Sequence, residues 1–387
     1  MYMEMRKELL KRVNREVGSS KKLRVARYHH MQETQPVRYW PEYNLWEVFR
    51  YQDVRQVLSD SATFSSEKSR EVGGLSSSLV ISDPPQHRQL RGLVSKEFTP
   101  QSVEGLAPHL IKIVDEMFER IIARRKKDVI PELTYLLPVH AIAELLGLPP
   151  GGQERSEQLT YQMLHQMLGT MNSDKSELFL YFSDMLNERK CDLRAGLISR
   201  LYTAKENGAH LTHEEIVSMC VEMLVAGTLN TTLLLERALS RLCQHLEIYQ
   251  AVHDDPSLIP GVVEETLRCD FPGFHLWRTA RHDTVFNGHE IKTGQDVLVW
   301  TAAANFDETY FPHSEQFDIR RSPNPQLTLG HGPHFCLGYL LARLQGRIVL
   351  ERTLAHFSEM HLTPEDPVQY GEQVAWLMQS LGLESIS

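Results

Sequence analysis

The chain of 387 residues is poor in cysteine. Its five, Cys191, Cys220, Cys243, Cys269 and Cys336, include no C-x-x-C pair. An odd number without paired spacing argues against a disulfide framework and suits a reducing compartment, so a cytoplasmic location is expected. Basic charge is also short: 41 Lys and Arg against 50 Asp and Glu leave a formal net of −9, the wrong sign for a general nucleic-acid binder. The longest strongly apolar uncharged stretch, Met223 to Leu235, falls short of the about 20 residues that a bilayer span needs. No apolar signal core opens the chain. Its first thirty residues carry nine Lys or Arg and three Glu. They read as a solvated helix, with an amphipathic transit or membrane-surface segment as the alternative. Internal repeats and low-complexity linkers are missing too. What remains is ordinary globular composition, 42% hydrophobic and 24% charged, which excludes extended disorder. A chain this long buries a large core without staples.

The patterning is mainly helical. Residues 39–60 mix short aromatic strand signals with a helical pattern, and residues 66–82 form a Ser- and Gly-rich loop. From Gln101 to Leu146 the period is helical. Pro149-Pro150-Gly151-Gly152 then breaks the chain as a loop between helices. Thr212 followed by Glu215 fits a capping box, and the apolar pattern after it runs to about Leu242. That exceeds the usual 8–20 residues of a soluble helix, so this helix should cross the molecule. Its centre, Ala226-Gly227-Thr228-Leu229-Asn230-Thr231-Thr232, is a poor helix former, which suggests a local bulge or a ligand pressed against it. Asp296 to Thr301 is strand-like. After Cys336, Leu337, Leu340, Leu341, Leu344 and Ile348 recur at helical spacing. The expected fold is mainly α with a small β region.

Residues 329–338 read LGHGPHFCLG. Gly330 and Gly332 allow a sharp turn that presents Cys336 just before a helix, where the dipole and free N–H groups favour a thiolate. Gly338 lets a large group approach the helix face. Three readings are open here: a buried free cysteine, a zinc site from His331, His334 and Cys336 with unusual spacing and no fourth ligand, or an axial thiolate to haem iron.

The same stretch resembles the haem-binding loop of cytochromes P450, F-x-x-G-x-x-x-C-x-G, with Leu329 in place of the leading Phe and Gly332, Cys336 and Gly338 in register. Other motifs follow in the family's order. Glu265-Thr266-Leu267-Arg268 is similar to E-x-x-R, and Arg268 lies 68 residues before Cys336. Phe317-Asp318-Ile319-Arg320-Arg321 is similar to the later F-D-x-x-R, which makes Arg321 the third member of that charge cluster and Arg320 its rival. Asp83-Pro84-Pro85-Gln86-His87-Arg88-Gln89-Leu90-Arg91 resembles D-P-P-x-H-x-x-x-R. His87 and Arg91 fall at i, i+4, on one helix face. Arg278, in Trp277-Arg278-Thr279-Ala280, and His334 complete four cations that the resemblance assigns to the two haem carboxylates. A surface charge is the alternative for each. The resemblance spans about residues 35 to 380. It implies a single P450 domain over 35–387, with 1–34 as a basic helical extension of it, haem b as cofactor and Cys336 as iron ligand.

One departure stands out. The family's central helix carries A-G-x-[DE]-T, whose acid and alcohol help deliver protons during oxygen activation. Here Leu229 replaces the acid and Asn230 the alcohol. Asn230 exchanges hydrogen bonds but does not titrate. Thr228 and Thr231 are the nearby hydroxyls, with Thr231 rotated about 100° from Asn230. Neutral divergence is one explanation; a reaction that needs no ordinary oxygen activation is the other. By resemblance the 66–82 loop and residues 160–185 cover the substrate side. Met163, Met167 and Met171 at i, i+4 spacing suit core packing or an adaptable apolar lining. Phe274, Leu276, Trp376 and Met378 are candidates by position. The resemblance therefore implies a monooxygenase for a mainly apolar small molecule, fed by a separate ferredoxin- or flavodoxin-type electron donor with its reductase. Alternatives are another haem-thiolate reaction, such as peroxygenation, coupling or isomerisation, and a non-catalytic haem sensor or carrier. Arg88, Lys96, Arg343 and Arg347 are the cations expected to meet the donor.

Overall fold

The computed structural model describes residues 20–67, 79–123, 130–148, 155, 158–159, 176–187, 196–206, 211–271 and 275–357. Residues 1–19, 68–78, Pro149 to Gly152, Met163, Met167, Met171, Phe274, Trp376 and Met378 lie outside them. In chain order the elements are α1 (Lys21–Thr34), β1 (Val37–Trp40), β2 (Leu45–Val48), α2 (Tyr51–Ser59), β3 (Phe64–Ser65), α3 (Gln86–Val94), α4 (Pro100–Glu104), α5 (Ala107–Ala123), α6 (Leu136–Leu146), α7 (Ser176–Asn187), α8 (Leu197–Glu206) and α9 (His213–Gln244). There follow α10 (Leu246–Asp254), α11 (Ile259–Glu265), β4 (Leu276–Ala280), β5 (Thr284–Phe286), β6 (His289–Ile291), β7 (Asp296–Val299), α12 (Thr301–Ala304) and α13 (Tyr339–His356). The fold is mainly α with a small β region, as expected. It divides into two compact units, one within Met1–Ser76, Val80–Arg88 and Glu264–Cys336, the other within Ser77–Leu79, Gln89–Val263 and Leu337–Ser387.

The first unit is built on a sheet of order β1-β2-β7-β4-β3, in which only the β2–β7 pairing is parallel. Its apolar faces bury Val48, Val54, Phe64, Val297, Phe311 and Leu327 in one core. Glu47 sits inside this sheet almost without exposure. The cost of burying its charge is met by its cross-strand partner Arg38 (Nε donating at 2.8 Å) and by the Trp300 indole N–H at 2.9 Å. The β5–β6 hairpin turns through Asn287-Gly288, both at positive φ, the geometry that matches the twist of paired strands.

The second unit centres on α9, 32 residues and about 48 Å long. Thr212 Oγ1 accepts from the Glu215 N–H at 3.0 Å while Glu215 caps the Thr212 N–H at 2.8 Å, so the expected capping box is present. α6, α7 and α13 pack along the helix. The expected bulge at its centre is absent: residues 226–232 are continuously α-helical. Tertiary burial outweighs the cost of the poor helix formers, about 1 kcal/mol for Gly227 and up to about 0.7 kcal/mol for each Thr or Asn. Gly227 is there for contact, since a Cβ would come within 2.6 Å of Ile142 Cδ1 on α6. By length and composition α9 could cross a membrane, in contrast to the short apolar run within it, yet most of it is buried inside the protein, as a core helix is.

Candidate active site

The cysteine loop is held by its own backbone. The Cys336 N–H donates to Leu329 O at 2.8 Å, Gly330 to Leu327 O at 2.9 Å, and Phe335 to Gly332 O at 3.0 Å across a 3₁₀ turn, Gly332–His334. Gly330 and Gly332 lie at φ 76° and 71°. A Cβ at Gly332 would stand 2.6 Å from the Leu58 carbonyl oxygen and 2.8 Å from Ser59 Cα, so the loop is seated directly on the backbone of α2. Cys336 is a half-buried cysteine outside any disulfide, three residues before α13 begins. At Gly338 an added Cβ would meet Phe98 Cε1 at 3.9 Å, an ordinary contact, so among the described residues nothing crowds that position.

The zinc reading is not supported. Among the described residues no group of three His, Cys, Asp or Glu could hold a metal ion. His331 instead accepts from Arg55 Nε at 3.3 Å. Burial and the Arg55 charge hold its pKa below the ordinary imidazole value.

Behind the loop lies a saturated ion cluster. The Glu265 and Arg268 side chains are 1% and 0% exposed. Arg268 spends all five N–H donors: two on Glu265 at 2.7 and 2.8 Å, and the others on the carbonyls of Asn305, Ser314 and Gln316 at 2.8–3.0 Å. Burial opposes its charge, but the Glu265 carboxylate outweighs that and holds the guanidinium above its ordinary pKa. Glu265 also accepts from Arg321 Nε (3.2 Å), Asn324 Nδ2 (2.9 Å) and the Asp318 N–H (2.9 Å). Arg321 is thus the third member and Arg320, exposed, is not. Asn305 links this cluster to the cysteine loop. Its amide donates to Arg268 O and Thr328 Oγ1, and its carbonyl accepts the Leu327 N–H at 2.7 Å. Sequence reasoning did not identify Asn305, Asn324 or Thr328, since none belongs to a recognisable motif.

Three of the expected cations belong to the same unit. His87 is buried, and its ring lies 4.2 Å from that of His334, centroid to centroid. Asp83, four residues before His87, is held by Ser65, the Ser66 N–H and Arg281. Arg278 on β4 is buried. Its one hydrogen-bond acceptor among the described residues is the Trp277 carbonyl at 2.7 Å. Burial pushes its pKa down to about 10, partly offset by Asp83. A buried guanidinium without a paired carboxylate is costly in isolation and fits a group that brings its own anions. Arg91 sits one turn beyond His87 on α3, half-buried. Within the first unit, the loop that presents one thiol and the buried Arg278 suit an anionic cofactor with a metal that accepts sulfur.

In the second unit α9 is buried along both halves, but its centre exposes Ala226 and Asn230, one turn apart. Leu229 is half-buried beside them. Asn230 Nδ2 donates back to Ala226 O at 3.3 Å, which leaves its Oδ1 to accept. Thr228 (1% exposed), Thr231 and Thr232 point into the packed side. The hydroxyls of Thr228 and Thr232 have no hydrogen-bond partner among the described residues. Of the three residues expected near oxygen, only Asn230 lies on the open stripe. Of the expected docking cations, Arg88 and Lys96 are exposed. Arg343 lies over the Tyr339 ring, and Arg347 is engaged by Glu104 at 2.8 Å and Glu351 at 3.7 Å.

Comparison with known proteins agrees with this chemistry. The family model described as Cytochrome P450 matches residues 157–383. Erythromycin C-12 hydroxylase of Saccharopolyspora erythraea is 35% identical, covering 89% of this chain and 90% of its own. Cyclomarin C epoxidase CymV of Salinispora arenicola is 34% identical over 90% and 91%. Among solved structures, CYP109E1 from Bacillus megaterium in complex with testosterone superposes with a TM-score of 0.81 at 30% identity, covering 95% of this chain and 98% of that one.

Proposed function

The chain belongs to the cytochrome P450 family and is a haem-thiolate monooxygenase that binds haem b, and from that premise we propose how its own residues serve the reaction. Cys336 supplies the axial thiolate, and His87, Arg91, Arg278 and His334 take the two haem carboxylates; the observation that carries this is buried Arg278, with no carboxylate partner among the described residues, in the same unit as a loop that presents one thiol. When bound, haem supplies activation of dioxygen and transfer of one oxygen atom to a carbon of the substrate. The Glu265–Arg268–Arg321 cluster and Asn305 hold the backbone from which the loop projects. The stripe of α9 at Ala226 and Asn230 receives a mainly apolar small molecule, as the hydroxylase and epoxidase names of the relatives support. There Asn230 Oδ1 accepts from a water or a substrate hydroxyl and fixes its position, and the proton comes from that hydroxyl or from solvent, since neither Leu229 nor Asn230 titrates. Residues 35–387 act as one catalytic domain in the cytoplasm. Electrons come from a ferredoxin- or flavodoxin-type donor that exposed Arg88 and Lys96 help to recruit, so transfer should weaken as salt rises.

A second reading, peroxide as oxidant with no electron donor, is favoured by the non-titrating Leu229-Asn230 pair. The test is spectral and kinetic. Reduced, CO-bound protein should absorb at the haem-thiolate position, and Cys336→His should lose that band. A wild type that binds no haem would overturn the assignment. Turnover that depends on reduced nicotinamide and a surrogate redox chain supports the first reading; turnover with peroxide alone supports the second.

A further inference from the structure

One turn before the open stripe of α9 stands Glu222, so that Glu222, Ala226 and Asn230 fall at i, i+4 and i+8 on one face of the helix. Glu222 is only 8% exposed, and a carboxylate so buried needs partners. It accepts the backbone N–H of Leu79 at 2.9 Å, across 143 residues of sequence. Leu79 is itself buried and lies in a turn, where no helix or strand ladder takes up its amide. A hydrogen bond to a carboxylate is about twice as strong as one to a neutral acceptor, which suits it to holding an irregular segment in one place. We infer that Glu222 is a positioning residue for substrate: its carboxylate clamps the Leu79 backbone to α9 and so sets the Leu79 side chain as an apolar wall beside Ala226 and Asn230. Glu222 acts through Leu79 and does not touch the substrate. The inference rests on the reading that the α9 stripe receives the substrate.

A contact that only stabilised the fold would affect every ligand alike. A positioning contact affects those large enough to reach Leu79. Imidazole and 4-phenylimidazole separate the two, because both coordinate haem iron and only the second carries an apolar ring. Both are titrated by absorbance into haem-loaded wild type, Glu222→Leu, Glu222→Gln and Leu79→Ala, and exchange at the Leu79 amide is followed by hydrogen–deuterium exchange mass spectrometry. In Glu222→Leu the Leu79 amide should exchange at least about tenfold faster, and 4-phenylimidazole should bind about tenfold more weakly while imidazole stays within about twofold. Leu79→Ala should lose 4-phenylimidazole to the same extent, and Glu222→Gln, which keeps a neutral acceptor, should lose about threefold. Unchanged Leu79 exchange, or equal weakening of both ligands, would overturn the inference and leave the haem reading intact. Failure of imidazole to perturb the wild-type haem spectrum would overturn the haem reading, and this inference with it.

Discussion

The charge cluster at Glu265 is wholly buried, whereas the centre of α9 buries Thr228, Thr231 and Thr232 on one side and opens at Ala226 and Asn230 on the other, and the polar groups of the two are satisfied differently. Every N–H of Arg268 has an acceptor, and Glu265 takes up five donors. Among the described residues Thr228 and Thr232 offer hydroxyls with no partner, and Asn230 has an acceptor to spare. A saturated cluster has nothing left with which to bind or exchange a proton; it can only hold backbone in place. An unsaturated one costs stability and keeps its capacity for a ligand or a water.

The largest effect should come from breaking the saturated side. Glu265→Gln keeps the shape and removes the carboxylate charge paired with Arg268 and Arg321. It should cost about 3–5 kcal/mol and with it most of the haem-loaded protein, measured by urea midpoint and haem content. Little change would mean that the carbonyl acceptors alone carry Arg268.

A second test uses an unsaturated group outside α9. His275 packs against Trp300 and Trp277, its Nδ1 lacks a partner among the described residues, and burial pushes its pKa down to about 4 from 6.5. As pH falls below 6.5 the unfolded chain protonates this histidine before the folded one does, so its share of stability is present at neutral pH and lost on the way down to about 4. Between pH 7.5 and 4.5 that share is about 2 kcal/mol, and His275→Phe should lose less stability over the window than wild type by that amount. Parallel urea curves for the two proteins would show that the imidazole is not held neutral.

Asn230 tests what the spare acceptor does. Asn230→Ala should divert reducing equivalents into peroxide and lower product per nicotinamide consumed by about threefold, while Asn230→Thr, which restores a hydroxyl, should largely keep coupling. Unchanged coupling in Asn230→Ala would remove Asn230 from the mechanism. The smallest effect belongs to Thr228→Val. Replacing an unpartnered buried hydroxyl by a methyl of similar shape should leave the melting temperature unchanged or raise it, by up to about 1 kcal/mol of stability. A loss of more than that would reveal a hydrogen bond made by Thr228 in solution.

The elements that could be read beforehand are those whose physics is local. The capping box at Thr212 and Glu215 needs only three residues of spacing, and the glycines around Cys336 announce a turn by their own permissiveness. What could not be read depends on distance. Asn305 joins Leu327 and Arg268 across 22 and 37 residues, and nothing next to it in the chain marks it. The choice between Arg320 and Arg321 waited for the direction of one short loop toward Glu265. Propensity suggested a bulge at residues 226–232, where packing on three neighbouring helices overrides five weak helix formers, Gly227, Thr228, Asn230, Thr231 and Thr232.

The seat of the cysteine loop on α2 also constrains how this site can evolve. The atoms nearest a side chain at position 332 are the Leu58 carbonyl and Ser59 Cα, which every amino acid possesses. A crowded side chain can be relieved by trimming its neighbour, but no exchange at 58 or 59 removes a backbone atom. Position 332 therefore has no single-step suppressor. In a saturation screen at Gly332 every survivor should be glycine, and second-site rescue should require an altered length of chain between α2 and the loop. Leu58 and Ser59 should meanwhile accept other side chains freely as far as this contact is concerned.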